Sequence, residues 1–324
     1  MNARRQYSAE LEFDELPDPK RVWAGTPGSR EEGLGRLVLL TSERTRDAAK
    51  EIVTGQRVGL NWDLRKLEYP GYGRISCGHQ VVPILDGDAF DDVYTINPQQ
   101  SSQWDGLRHW GILSDQEPTR REWYGGTTKA EILDRTSDRI GIHHWAQEGI
   151  TGRAVLIDYA SWADKQAISY SAFSLHTIKL QDIIAIAAES SVTFKKGDIL
   201  LVRSGMIREW EKMDEKARKA YQALQSPHHA GLEATTDVLR WVWDTGIAAV
   251  AGDAISFEVF PPLGDISLHD YFLASWGMPI GEMFDLEKLA EACKQLDRWT
   301  FFFASMPLNM PGGVSSPPNA QAIF

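Results

Sequence analysis

The rhythm of apolar and polar positions changes near residue 150. Before that point turn-forming clusters interrupt the chain repeatedly, as in ELPDPKRVW, GTPGSREEG and EYPGYG. One helical pattern stands out there, TSERTRDAAKEIV near 42–54, with Thr41 or Ser42 as its cap. Residues 1–75 therefore read as an extension that wraps a core built from 76–324. Beyond 150 the pattern alternates. TGRAVLIDY (151–159), the ILLV of KKGDILLVRSG (195–205), IAAVAGD (247–253) and TFFFASMPL (300–308) are short apolar runs bounded by turn residues, which predicts four buried strands. Between them, LQDIIAIAAES (180–190), GLEATTDVLRWVWDTG (231–246) and DLEKLAEACKQL (285–296) carry apolar stripes at helical spacing. Gly246 stands at the C-terminal cap position of the second, and Asp285 is the expected N-cap of the third. Strands alternating with helices predict an α/β domain with a partly parallel sheet.

Composition narrows the functional classes. Of 324 residues 43% are hydrophobic and 24% charged, which is ordinary globular usage. The formal net charge of −11 argues against a nucleic-acid or anionic-membrane surface, since either needs a basic face. Two cysteines, Cys77 and Cys293, exclude a disulfide scaffold. Neither a signal-peptide core nor eighteen consecutive apolar residues occurs, so the expectation is a soluble cytoplasmic protein. No G-x-G-x-x-G between strand and helix, no P-loop and no G-x-S-x-G is present, which sets aside a dinucleotide fold and a serine hydrolase. Trp104, Trp110, Trp123 and Trp145 crowd one third of the chain, a density that suits an aromatic-lined pocket and equally a core.

Two segments carry candidate chemistry. QQSSQWDGLRHWG (99–111) holds Asp105 and His109 flanked by Trp104 and Trp110, and SLHDYFLASWGMPIGEM (267–283) holds His269 and Glu282. Asp105 and Glu282 offer hard oxygens, His109 and His269 imidazole nitrogens, a set that could hold zinc or manganese with room for water. Neither segment has a compact ligand spacing. Taken alone, Asp105 and His109 also read as a turn carboxylate and a surface imidazole. The pairs His143–His144 and His228–His229 read as structural or substrate-facing, because adjacent side chains usually diverge.

The segments TGRAVLIDY, KKGDILLVRSG, DTGIAAVAGDAISFEVFP, LHDYFLASWGMPIGEMFDLEKL and FFFASMPLNMPGGVSSP, in this order, resemble the cyclase family that includes bacterial kynurenine formamidase and isatin hydrolase. The resemblance runs over roughly residues 75 to 320. It implies a mixed-sheet, layered β/β/α domain of the kynurenine formamidase type. The signature H-x-G-T-H-x-D-x-P-x-H falls on Gln99–His109. By this resemblance Asp105 is a metal-ligating carboxylate and His109 a general acid/base, while His269 and Glu282 are further ligands. Gln99 and Gln103 stand where the family has ligand histidines. An amide oxygen is a weaker zinc ligand than imidazole, so one divalent metal held by Asp105, His269 and Glu282 with Gln103 is expected, and a two-metal site is not. Gln99, Trp104 and Trp110 are then expected to touch substrate.

Two functions follow from the resemblance and the altered signature. One is a metal-dependent hydrolase opening an amide, formamide or lactone of a small, aromatic molecule. The other is a metal-free cyclase or dehydratase with Asp105 and His109 as acid and base. The resemblance also implies a homodimer or homotetramer, and a small-molecule substrate is the expected partner.

Overall fold

The four apolar runs are strands of one mixed sheet in the computed structural model, which describes residues 11–324 apart from 69, 115, 116 and 118. In chain order the sheet contains β1 (Arg57–Gly59), β2 (Gln103–Asp105), β3 (Ile150–Ile157), β4 (Ile199–Val202), β5 (Ala249–Gly252), β6 (Ile280–Glu282), β7 (Thr300–Ser305), β8 (Ser315–Ser316) and β9 (Ala320–Ile323). Across the sheet the order is β1-β9-β7-β3-β4-β5-β6-β2-β8. The block β3 to β6 is parallel, and the other neighbours are antiparallel.

A parallel block is covered on both faces, which is why β3, β4 and β5 read as unbroken apolar runs. Successive side chains go to opposite faces. Ala154, Leu156, Ile199 and Leu201 join one core, while Val155, Ile157, Leu200 and Val202 join the other. Helices α2 (Leu180–Glu189) and α3 (Thr236–Thr245) bury Ile183, Ile186, Val238 and Val242 in the second core. Helix α4 (Glu287–Leu296) buries Leu289 and Cys293 in the first. The α/β architecture with a mixed sheet is as expected from the sequence.

Local chemistry sets the helix ends. Thr41 caps α1 (Ser42–Ala48), its hydroxyl accepting from Arg44 N at 3.3 Å. Helix α3 starts five residues later than its pattern suggests, because Gly231–Leu232 pair as a short strand with Thr177–Ile178 and Thr235 is the cap. Gly246 closes α3 at φ +75°. Asp285 sits one residue outside the N-cap of α4, which is Leu286, and accepts from Glu287 N at 3.2 Å.

The described residues of 11–75 are built into the domain. Strand β1 pairs with β9, and Glu32 and Arg36 are buried, Arg36 Nε donating to Ile247 O at 2.6 Å. By contrast, Gly78–Ile84 and Ala89–Thr95 form a two-stranded hairpin with no buried residue. Cys77 and Cys293 are both free thiols. Among the described residues no helix is long and apolar enough to cross a membrane.

Candidate active site

The site is assembled where β2 meets β6. Gln103 lies opposite Glu282, and Asp105 opposite Ile280. Strand alternation turns Gln103, Asp105 and Glu282 to one face and Trp104 to the other. Trp104 is fully buried there, edge-on to Phe284 and Phe303, with Nε1 donating to Ser305 Oγ at 2.9 Å. The expectation that Trp104 touches substrate is thus corrected: a residue between two site residues on a strand must face away from the site. After β2 the chain turns tightly, with His109 N donating to Gly106 O at 2.8 Å and Gly106 N to Val314 O at 3.0 Å. A Cβ on Gly106 would lie 2.6 Å from Val314 O, so only glycine permits this approach. The turn returns His109 toward the carboxylate four residues back, Nε2 lying 3.8 Å from Asp105 Oδ2.

His269 comes from the start of a π-helical turn, Asp270–Ser275. Its Nε2 is 3.8 Å from Asp105 Oδ2 and 3.5 Å from Glu282 Oε1. One ligand atom from each of Asp105, His269 and Glu282 falls within 4.8 Å of the others. The far side of the ring is fixed by Glu258, whose Oε1 is 2.7 Å from His269 Nδ1. Glu258 also accepts from Ser267 Oγ at 2.9 Å and from the backbone N–H groups of Leu268 and His269.

The two glutamines form a relay of amides. Gln99 Nε2 donates to Asp105 Oδ1. Gln103 Nε2 donates to Glu282 Oε2 at 2.8 Å and reaches Gln99 Oε1 at 3.4 Å. Two atoms are left over: Asp105 Oδ2 and Gln103 Oε1 are buried without a hydrogen-bond partner. A bare buried acceptor costs about 1–3 kcal/mol. Two carboxylates, an imidazole and an amide oxygen with such atoms among them suit one divalent ion.

Electrostatics agrees with this grouping. Burial pushes the Asp105 carboxyl up, but its neighbours His109, His269 and Gln99 outweigh it and hold it below the ordinary value. Burial and then the Asp105 charge push Glu282 up to about 7. Burial opposes the charged form of His269, yet Asp105, Glu258 and Glu282 together raise it well above an ordinary imidazole. Burial lowers His109 against the pull of Asp105. Like charges crowded in one buried place are what a cation relieves.

These groups open on a cavity of about 830 Å³ that Gln99, His109, His269 and Glu282 help to line. Its apolar wall includes Trp110, Ile112, Ile255, Phe260 and Pro262. That volume lies within the range of small-molecule sites. Trp110 is half-buried, tilted 5.3 Å from the His269 ring, with Nε1 donating to Asp270 Oδ1 at 2.7 Å. Of the four crowded tryptophans Trp110 is the one that lines this cavity, while Trp145 is buried and donates to Gly33 O at 3.1 Å.

A family model described as "Putative cyclase" matches residues 31–259. The chain belongs to this cyclase family. The match begins inside the segment that reads in the sequence as an extension, in keeping with the place of β1 in the sheet. Among solved structures, one described as a novel cyclase is 27% identical, with a TM-score of 0.78 over 91% of this chain and 97% of that one. An isatin hydrolase bound to the product analogue thioisatinate is 14% identical, with a TM-score of 0.59 over 89% and 98%. Isatin hydrolase A from Labrenzia aggregata, bound to benzyl benzoate, is also 14% identical, with a TM-score of 0.55 over 82% and 93%. The last two show the shared fold. No curated protein matches the chain.

Against this cyclase-family background, sequence reasoning brought together Asp105, His109, His269, Glu282, Gln99 and Gln103, and the fold gathers all six. It missed Glu258, whose signal is a lone carboxylate inside the apolar run of ISFEVFPP. It also missed the cations Lys20, Arg74 and Arg121 on the cavity wall. His229 lines the cavity as well, whereas His143 and His144 lean on each other with ring centroids 4.1 Å apart.

Proposed function

We propose that this cyclase-family chain is a metal-dependent hydrolase that opens an amide, formamide or lactone bond of a small aromatic molecule. The observation that carries this reading is the buried Asp105–His269–Glu282 group, with its unpartnered Asp105 Oδ2, beside His109 in an apolar-walled cavity. Asp105, His269 and Glu282, with the amide oxygen of Gln103, would hold one zinc or manganese ion. Such an ion supplies Lewis-acid activation of a carbonyl and of water.

The chain's own residues handle protons and orientation. His109, whose charged form burial disfavours, takes the proton of the attacking water and delivers it to the leaving group. Glu258 accepts a hydrogen bond from His269 Nδ1–H and so leaves Nε2 toward Asp105 and Glu282. Gln99 steadies Asp105, and Gln103 steadies Glu282. The Trp110 ring offers a stacking surface and helps to exclude water. The isatin hydrolase with thioisatinate bound supports cleavage of a cyclic amide on this fold.

The test is elemental mass spectrometry on protein purified without tag or chelator. The expected result is about one divalent transition metal per chain, lost in Asp105→Ala. With a turned-over amide in hand, labelled solvent oxygen should enter the product and chelation should stop it. One observation favours the metal-free cyclase or dehydratase instead: the Gln99 and Gln103 amides already donate to Asp105 and Glu282. Turnover that survives chelation without solvent oxygen in the product would select that second reading.

A further inference from the structure

The carboxylates around the cavity all have side-chain partners, and the cations have no carboxylate partner, Arg74 and Arg121 each donating to a backbone carbonyl. Glu258 serves His269, Asp270 accepts from Trp110, and Glu282 accepts from Gln103. Lys20, Arg74 and Arg121 line the same cavity, and among the described residues none of them has a carboxylate within ion-pair distance. The lining thus holds three cations without a carboxylate partner against three carboxylates that each already have one. Lys20 and Arg121 are backed by rings, Lys20 Nζ lying 5.5 Å from Tyr271 and the Arg121 guanidinium 5.9 Å from Trp110.

Arg74 sits nearest the chemistry. It is half-buried, 5.0 Å from the Tyr72 ring, and its Nη1 donates to Gln99 O at 3.2 Å. That ties it to the residue whose side chain holds Asp105. A guanidinium carries five N–H donors, and the protein uses one here. Its positive charge reaches both Glu282 and His109. A divalent ion would offset Asp105 and Glu282, so those two do not account for Arg74.

We infer that the cavity takes an anionic small molecule and that Arg74 receives its acidic group, a carboxylate or a phosphate. The planar fork of donors matches the paired oxygens of either group. The remainder of the molecule lies along Trp110 and the apolar wall, which directs its reacting carbonyl toward Asp105, His269 and Glu282. The inference rests on the hydrolase reading for the identity of the reacting bond, and on the cation set alone for the acidic group.

Titration calorimetry on the tag-free full chain tests it with benzoate, phenyl phosphate and benzamide, before and after dialysis against a chelator. The expected result is that one anion binds about tenfold or more tightly than benzamide in both preparations. The tighter of the two anions identifies the acidic group. In Arg74→Gln the preference disappears. In Arg74→Lys, which keeps the charge and removes the fork, anion affinity drops severalfold, so this variant decides if Arg74→Gln does not fold. Absence of an anion preference, through equal binding or none, overturns the inference, as does a preference unchanged in either folded variant. Failure of the hydrolase reading would show instead as no solvent oxygen entering any product, which leaves these affinities interpretable.

Discussion

Glu258 and His229 show how much a single buried side chain can decide. His269 has a carboxylate on Nδ1, and such partners set both the tautomer and the basicity of a ligand imidazole. Glu258→Gln keeps the shape and removes the charge. Zinc affinity, read by competition with a chromophoric chelator, is expected to fall about 10–100-fold. An unchanged affinity would remove Glu258 from the centre. His229 is buried between Tyr221 Oη at Nε2 and Ser256 Oγ at Nδ1, the latter at 3.1 Å. Burial, and then the charges of His228 and Arg74, depress it from 6.5 to about 3. The native state therefore keeps this ring neutral where the unfolded chain has taken a proton. The unfolded state binds more protons between those values, so stability present above pH 6.5 is lost as pH falls toward 3. The slope is up to about 1.4 kcal/mol per pH unit from this group. Urea midpoints measured at several pH values across that window should show a shallower fall in His229→Gln than in the wild type. Parallel curves would assign the acid sensitivity to other groups.

At the scale of elements, the apolar runs were legible and the site strand was not. Strands β4, β5 and the second half of β3 announce themselves because burial on both faces leaves no polar alternation to confuse, while β7 is legible from its run of phenylalanines although only alternate residues are buried. Strand β2 is three residues, QWD, with two polar side chains turned to the cavity and one indole turned to the core, and nothing in its composition favours a strand. Its partner β6 is as short and contains Gly281. That glycine is where the site meets the packing. A Cβ on Gly281 would fall 2.7 Å from Ala251 Cβ, 2.7 Å from Phe284 Cε2 and 3.0 Å from Trp104 Cζ3. Gly281→Ala is expected to destabilise by about 1–3 kcal/mol, because the crowded core cannot yield. It should also weaken metal binding, since Glu282 is the next residue. Gly264→Ala is the control: nothing lies within 4 Å of a Cβ there, and its urea midpoint should stay within about 0.5 kcal/mol of wild type. Equal effects of the two substitutions would show that β6 has more room than its contacts indicate.

Across the whole molecule, the candidate site draws on three stretches, 99–109, 258–269 and 282, that only the sheet order brings together. The residue types were readable in the sequence, and the signature with its two glutamines marked the first stretch. The adjacency of β2 and β6 was not readable, because it depends on a crossing of the sheet that spacing does not encode. The same assembly makes a prediction about stability. Asp105, His269 and Glu282 lie together only in the folded chain, so an ion bound there favours the native state by mass action. At a free zinc or manganese concentration about 100 times the dissociation constant, the gain is about 2.7 kcal/mol. For a chain of this length that raises Tm by a few degrees, and a chelator should reverse the shift. Asp105→Asn retains an oxygen to accept from Gln99 and removes the negative charge, so its Tm should no longer respond to metal. A response of the same size in Asp105→Asn would mean that the stabilising ion binds elsewhere, and the wild-type shift could then no longer be credited to β2 and β6.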